Sequence, residues 1–456
     1  MHVKNAAELI ENGESEAERK ARRLSLEAVE AALEAVEPGR SIRSKVRVLG
    51  GQLLVGGKRF DLARFGRILV IGGGKAGGPM ARALESLLGD RITAGIVNVP
   101  DSYHGKREEI DRIRLHPASH PLPSRSGLQG VEQMLELVGS PRRDDLVVCL
   151  LSGGGSSLLP MPVEGISVAD KTEITRALLR AGATIGELNV VRKHLSSLKG
   201  GWLAKRLYPA AVLSLVISDV VGDRLDLVAS GPLHPDPSTF SDAIQVLKRH
   251  DLWEGAPQSV VTLLRRGEEG RIPETPKPGS RYFSMVSSFV IGSNDDACEA
   301  AVRQLKSSGQ GPTLLTTSLE GEARFAGTFM GSVLQHASTR PRPSSYVLGG
   351  ETTVTVTGEG RGGRNQEFAL GAATKIGGSH GVVMVALGTD GLDGSTDAAG
   401  AVVDGHTIAR ARSLGLYPEE ILARNDTFRF FDRLGDLLMT GPTGTNVNDV
   451  AVAVVA

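Results

Sequence analysis

Apolar residues fall along this chain in two alternating patterns. Runs such as Ile68–Ile71, Leu146–Leu151 and Ala211–Ile217 carry no polar alternation, as suits strands buried on both faces. Ala94–Val99 and Ile113–His116 add shorter strands, and Val46 to Phe60 reads as a hairpin turned by Gly50-Gly51 or Gly56-Gly57. Between these the apolar spacing becomes helical, over residues 5–36, about 126–138, 168–181, 185–207, 240–250 and 258–266. Strands alternating with helices predict an α/β chain with a parallel sheet. Pro273, Pro276 and Pro278 then read as a linker. Beyond them the pattern restarts. Strands are predicted at Phe289–Gly292, Pro312–Thr316, Tyr346–Leu348, Thr353–Val356 and Val382–Leu387, with one helix capped by Asn294 and another over about 320–337. This half has a more antiparallel character.

Length supports that division, because 456 residues exceed one ordinary core. The predicted domains are residues 1–272 and 280–456. Lys+Arg and Asp+Glu both total 52, so formal net charge is zero, which argues against a generic nucleic-acid or polybasic membrane binder. Glycine stands out at 57 residues, where an average usage of about 7% gives roughly half as many. The excess lies in motifs, so it reads as turn chemistry and close ligand approach. Cys149 and Cys298 sit in apolar segments and read as small buried hydrophobes. The charged start of the chain lacks a signal h-region, and no stretch of about 18 apolar residues exists, so a cytoplasmic protein is expected.

The candidate chemistry follows the strand ends. RILVIGGGKAGG runs from a buried strand through three glycines and Lys75 into a helix, an arrangement that suits an anion. Gly72, Gly74 and Gly77 match G-x-G-x-x-G, with Asp101 placed where a ribose-binding acid would fall, so a dinucleotide reading stays open. A tight strand–helix turn is the plainer alternative. A second strand ends in SGGGSS, Ser152 to Ser157, which is neither G-x-S-x-G nor part of a readable Ser–His–Asp order. Walker A and protein-kinase signatures are missing. If the sheet is parallel, both glycine turns face one crevice.

Asn189, Arg192, Ser196 and Lys199 fall on one helical stripe that either faces an anion or is simply solvated. Asp219, Asp223 and Asp226 follow one buried strand, and Asp390, Asp393 and Asp397 lie in GTDGLDGSTD. Either group could serve Mg²⁺, which takes one or two carboxylates plus phosphates and waters, or could form Asx turns. Arg364 sits in the turn GGRNQE, where its planar fork could grip a carboxylate or a transferring phosphoryl.

Together, VIGGGKAGGPMA, HPASHPLPSRSG, LLSGGGSSLLP, NVVRKHLSSLKGG, ISDVVGD with ASGP, GGETTVTV with GRGGRNQE, ALGTDGLDGSTDAAG and TGPTGTNVND resemble the glycerate 2-kinase family with a MOFRL C-terminal domain. The resemblance implies an N-terminal Rossmann-like parallel-sheet domain, a smaller C-terminal α/β domain and an active cleft between them. It implies ATP- and Mg²⁺-dependent phosphorylation of D-glycerate at the 2-hydroxyl. The family's proposed catalytic lysine and arginine fall on Lys75 and Arg364. On that reading ATP phosphates lie over Gly73, Gly74 and Lys75 and over Ser152, Gly154, Gly155, Ser156 and Ser157. Arg192 and Lys199 are candidates for the substrate carboxylate, and Asp219, Asp223 and Asp390 for the metal. The expected partners are small molecules, neither nucleic acid nor membrane, with self-association left open. Two competitors remain: an NAD(P)-dependent hydroxypyruvate reductase, and a module that binds a phosphorylated metabolite without turnover.

Overall fold

The computed structural model describes residues 2–103, 110–340 and 344–456. The chain forms two compact units, residues 38–291 and residues 1–37 with 292–456.

In the first unit, a small antiparallel sheet joins β1 (Val46–Leu49), β2 (Gln52–Val55) and β3 (Lys58–Asp61). The main sheet contains β4 (Arg67–Gly73), β5 (Ala94–Pro100), β6 (Ile113–Ala118), β7 (Asp145–Leu151), β8 (Ala211–Ile217) and β9 (Val286–Gly292), in the order β6-β5-β4-β7-β8-β9. The pairings from β6 through β8 are parallel. Each strand of the β4–β7 pair is almost wholly buried, which is why their sequences carry no polar alternation. Helices Gly77–Leu88 and Arg125–Val138 pack on the sheet. Taken in chain order the strands run 3-2-1-4-5-6, the doubly wound order. The direction of winding reverses between β4 and β7, so both glycine turns lie at that switch point.

A helical layer of this unit, Val168–Arg180, Ile185–His194, Phe240–Arg249 and Gln258–Glu268, has its own apolar core around Ile174, Leu188, Leu247 and Leu264. The predicted helix over 185–207 breaks into Ile185–His194 and Trp202–Leu207: Ser196 Oγ and the Ser197 amide turn away to the Met161 carbonyl, and Gly200 and Gly201, with φ of 56° and 84°, lead into the second helix. The predicted linker is not one. Thr275 is buried and donates to Asp236 Oδ2, while the Asp236 amide donates to the carbonyl of Pro276. These bonds hold the proline segment inside the first unit, and the division falls at 291/292 instead of 272–280.

The second unit is built on a mixed sheet of β10 (Pro312–Leu319), β11 (Ser344–Gly350), β12 (Val382–Gly388), β13 (Gly400–Asp404), β14 (Leu437–Leu438) and β15 (Asp449–Val455), ordered β10-β11-β15-β12-β13-β14. Only β10–β11 is parallel; the other pairings are antiparallel. Thr353–Val356 forms no strand, only an isolated bridge from Thr353 to Glu322. Ser293, not Asn294, caps the helix Asn294–Ser307, its side chain accepting from the Asp296 amide.

The largest departure from the sequence reading concerns residues 1–37, which belong to this second unit. The predicted helix over 5–36 is two helices, Ala6–Glu11 and Glu16–Ala35, the second opened by a capping box from Ser15 and Glu18. Its apolar face packs against the helix Asn294–Ser307 and against β12 and β15. Arg22 anchors it: fully buried, it donates to Asp404 Oδ2 at 3.0 and 2.5 Å and to Asp436 Oδ1 at 2.8 Å. Burial alone would raise the pKa of Asp404, but Arg22 more than offsets it and holds the carboxyl below its ordinary value.

Truncating Arg22 would leave buried Asp404 without its hydrogen-bonded cation, while Asp436 keeps Arg410, so Arg22→Ala is expected to cost about 3–5 kcal/mol of stability in this unit. Because the folded Asp404 pKa is depressed, its share of that stability is complete above about pH 4 and is lost as pH falls through the folded value. The gap in unfolding midpoint between wild type and variant should therefore be full at pH 7 and shrink below pH 4, as read by denaturant titration.

Candidate active site

The two glycine turns at the β4/β7 switch point are built into one another. Gly72, Gly74 and Gly77 have no side chain because there is no room for one. A Cβ on Gly72 would strike the Leu150 carbonyl, one on Gly74 would strike Ser152 Oγ, and one on Gly77 would lie 2.9 Å from a Val97 methyl. The amides of the first turn are also spent within the fold. Gly74 donates to the Asn98 carbonyl at 3.2 Å, Lys75 to the Gly153 carbonyl at 2.8 Å and Ala76 to Ser152 Oγ at 3.1 Å. The expected phosphate cradle over Gly73 and Gly74 therefore has its Gly74 and neighbouring donors already engaged. The G-x-G-x-x-G match here is explained by strand–helix packing.

The second turn differs. Gly154 adopts φ 79° and leads into the short helix Gly155–Leu158. Among the described residues, the amides of Gly153, Gly154 and Ser156 donate to no protein acceptor, whereas Gly155 and Ser157 close the turn onto Ser152 and Gly154 carbonyls. The serine hydroxyls are occupied: Ser152 Oγ accepts from Ala76, Ser157 Oγ donates to the Gly154 carbonyl, and Ser156 Oγ shares a bond with Ser230 Oγ, which donates to Asn189 Oδ1. Open amides, not hydroxyls, are what this turn presents to an anion.

Side chains converge on that turn. A Cβ on Gly154 would lie 2.8 Å from His120 Nε2 and 3.3 Å from Lys75 Cγ, and one on Gly153 would lie 2.5 Å from Asp219 Oδ2. Lys75, His120 and Asp219 thus surround one backbone bend. Burial lowers the His120 pKa below the ordinary imidazole value, and the Lys75 charge lowers it further against the opposing pull of Asp101. Burial raises the Asp219 pKa, while its own amide and Lys75 act to lower it. His120 is not singled out by the sequence pattern, although it lies within the motif HPASHPLPSRSG; its place beside Gly154 is a tertiary contact that no local pattern encodes.

Asp223 lies in a left-handed conformation, φ 52°, four residues past Asp219, and Asp226 is paired with Arg224 at 2.8 Å. In the second unit, Asp390 Oδ1 accepts from the Leu392 amide, an Asx turn. Asp393 accepts from the Asn365 and Gln366 amides at 3.0 and 2.9 Å and so caps the helix Arg364–Ile376; burial pushes its carboxyl up to about 6. Among the described residues no group of three or more His, Cys, Asp or Glu is arranged to hold a metal. Mg²⁺ needs no such cage when phosphates supply ligands, and Asp219 beside the second turn could supply one such contact, the cation offsetting the burial that raises its pKa.

Arg364 does not present an open fork. Its Nε and one terminal nitrogen grip Asp449 at 2.6 and 3.0 Å, and the other terminal nitrogen meets Glu351 at 3.1 Å. Burial alone would lower its pKa, and these carboxylates more than reverse that. Arg192 and Lys199 do come together, although the stripe proposed to join them is broken after His194. Lys199 is buried and donates to the carbonyls of Ser156 and Leu159 at 2.8 and 3.3 Å, which ties it to the second turn.

Gly74→Ala should force the two turns apart and cost about 1–3 kcal/mol, the usual effect of overpacking. A lowered unfolding midpoint for the purified variant is the expected measurement; an unchanged midpoint would contradict the packing account of the glycine motif.

Comparison with known proteins agrees with this architecture. Residues 24–265 match a family described as a domain of unknown function, DUF4147, and residues 344–449 match the MOFRL family. A glycerate 2-kinase of Pyrococcus horikoshii is 42% identical over 439 residues, spanning 95% of this chain and 97% of its own. A crystal structure of a glycerate kinase from Thermotoga maritima superposes with a TM-score of 0.83 at 39% identity, covering 95% of this chain and 99% of that one. A protein of Agrobacterium vitis named as a hydroxypyruvate reductase is 40% identical over 391 residues, 84% of this chain and 86% of its own. With both family regions present in order and relatives of this identity along nearly its whole length, the chain belongs to the MOFRL-type glycerate 2-kinase family.

Proposed function

We propose that this protein transfers the γ-phosphoryl group of ATP to the 2-hydroxyl of D-glycerate, giving 2-phosphoglycerate. The observation that carries the reading is the second glycine turn, where open amides, Lys75 and His120 meet at one bend. The names of the P. horikoshii and T. maritima relatives support it. The phosphates lie along Gly153–Ser156 and the short helix behind them, with Gly73 and Gly74 supplying shape more than donors. Lys75 neutralises charge developing on the transferred group. Phosphoryl transfer asks mainly for positioning and charge stabilisation, so a lysine and a metal on fixed main chain suffice.

When bound, Mg²⁺ would supply neutralisation of phosphate charge. Asp219 and Asp223 are the assigned protein ligands, and Asp390 is less suited because its carboxylate serves a turn. Arg364 is assigned a second neutralising role on family resemblance alone; its own surroundings give it Asp449 and Glu351 as partners. His120, kept neutral near pH 7 by burial and Lys75, is placed to accept the hydroxyl proton. The reductase reading loses the motif that raised it, since the amides of Gly74, Lys75 and Ala76 are engaged within the fold.

Incubation with ATP, Mg²⁺ and D-glycerate should give a product that enolase consumes without added mutase. NADH oxidation with hydroxypyruvate, independent of ATP, would overturn the assignment. Lys75→Ala should lower kcat by about 10²–10³-fold, the usual loss of one charge-stabilising contact, with the unfolding midpoint unchanged. Near-wild-type turnover would remove Lys75 from the chemistry. If His120 takes the proton, kcat/KM should rise with pH through a value below the ordinary imidazole pKa, and His120→Asn should abolish that limb of the profile.

A further inference from the structure

Three basic side chains of the first unit act on one another electrostatically, and one of them, Lys199, donates to the carbonyls of Ser156 and Leu159 behind the second glycine turn. Lys171 belongs to the helix Val168–Arg180, Arg192 to the helix Ile185–His194, and Lys199 to the segment that follows. Lys171 is 3% exposed, and its buried Nζ donates to no acceptor among the described residues. Lys199 is 1% exposed and donates only to main-chain carbonyls. Arg192 keeps some exposed surface.

Each of the three is destabilised as a cation, by burial first. Arg192 lowers Lys171 further, and both lower Lys199. No carboxylate figures among the groups acting on any of them. Burial brings the Lys171 ammonium down to about 7. A methionine at 171 would fill similar space without the penalty of an unpartnered amine, so stability does not explain the lysine.

We infer that Lys171 joins Arg192 and Lys199 in a receptor for the carboxylate of the acceptor substrate. This rests on the glycerate kinase reading and adds to it a residue that the sequence did not nominate. A bound anion favours the charged form of Lys171, so binding above pH 7 takes up a proton. The same three cations could hold a phosphate, and the two sources are separated by which KM responds.

The test compares wild type with Lys171→Met and Lys171→Arg. In Lys171→Met the KM for D-glycerate should rise at least about tenfold while the KM for ATP stays within about twofold, and Lys171→Arg should recover much of the loss. Titration calorimetry of D-glycerate at pH 8, in buffers of different ionisation enthalpy, should show proton uptake in wild type that is clearly smaller in both variants, the remainder coming from Lys199.

Stability should move the opposite way. Because the folded pKa of Lys171 is lowered, its protonation favours the unfolded chain increasingly as pH falls from about 10 to 7. Lys171→Met should therefore raise Tm by about 2–4 °C at pH 7, with the gain vanishing above about pH 10. A lowered Tm with unchanged glycerate KM would mark Lys171 as structural and overturn the inference. A raised ATP KM with glycerate KM unchanged would assign the cations to phosphate and overturn the carboxylate assignment. Should wild type fail to phosphorylate D-glycerate at all, the kinase reading falls separately. A rise in Tm on adding D-glycerate or lactate to wild type, lost in Lys171→Met, would then still support a carboxylate receptor, and no rise in wild type would end it.

Discussion

The interlock of the two glycine turns at the β4/β7 switch point is the constraint on which the site depends. Ser152 Oγ receives the Ala76 amide, the Gly153 carbonyl receives the Lys75 amide, and the absent side chain of Gly74 leaves room for Ser152. These contacts fix where the backbone of Lys75 lies relative to the second turn. They also settle how the donors are divided. The first turn gives its amides to the fold, and the second keeps several of its own for a ligand. Lys75, the imidazole of His120 and the carboxylate of Asp219 then meet around one backbone bend.

Around that bend the helical layer contributes charge instead of shape. Its core of Ile174, Leu188, Leu247 and Leu264 is apolar, yet Lys171 is buried on its border and Lys199 behind the turn. Buried cations without acidic partners are costly, and a fold keeps them where an anion offsets the cost. The second unit follows the opposite rule. There Arg22 is matched to Asp404 and Asp436, and Arg364 to Asp449 and Glu351, so its buried charges are largely balanced within the unit. In the first unit Lys193 is likewise matched to Asp236, whereas Lys171 Nζ has no hydrogen-bond partner among the described residues.

Much was legible from the residues alone. Unbroken apolar runs determine buried parallel strands, because a strand covered on both faces has no solvent side to mark with polar residues. Glycines between such a run and a helical period mark close approach, and the family resemblance rested on those same motifs. The single helical stripe read through Asn189, Arg192, Ser196 and Lys199 does not form, because the helix ends at His194 and the Lys199 amide turns back to Ser196 Oγ. Lys171 left a trace that local reading passes over, a lysine set three and four residues before Ile174 and Thr175 on a buried face.

Tertiary structure alone decided the rest, and in each case the reason is a partner distant in sequence. That residues 1–37 complete the second unit follows from Arg22 meeting acids 382 and 414 residues away. That the proline segment is no linker follows from Asp236. That the first turn of a G-x-G-x-x-G motif serves packing follows from Ser152 and Asn98, which occupy its amides. Composition and period specify which elements form and which faces they bury. Which donors remain open once those elements meet is a property of the packed chain, because every hydrogen bond made across the core removes one that a ligand could have used.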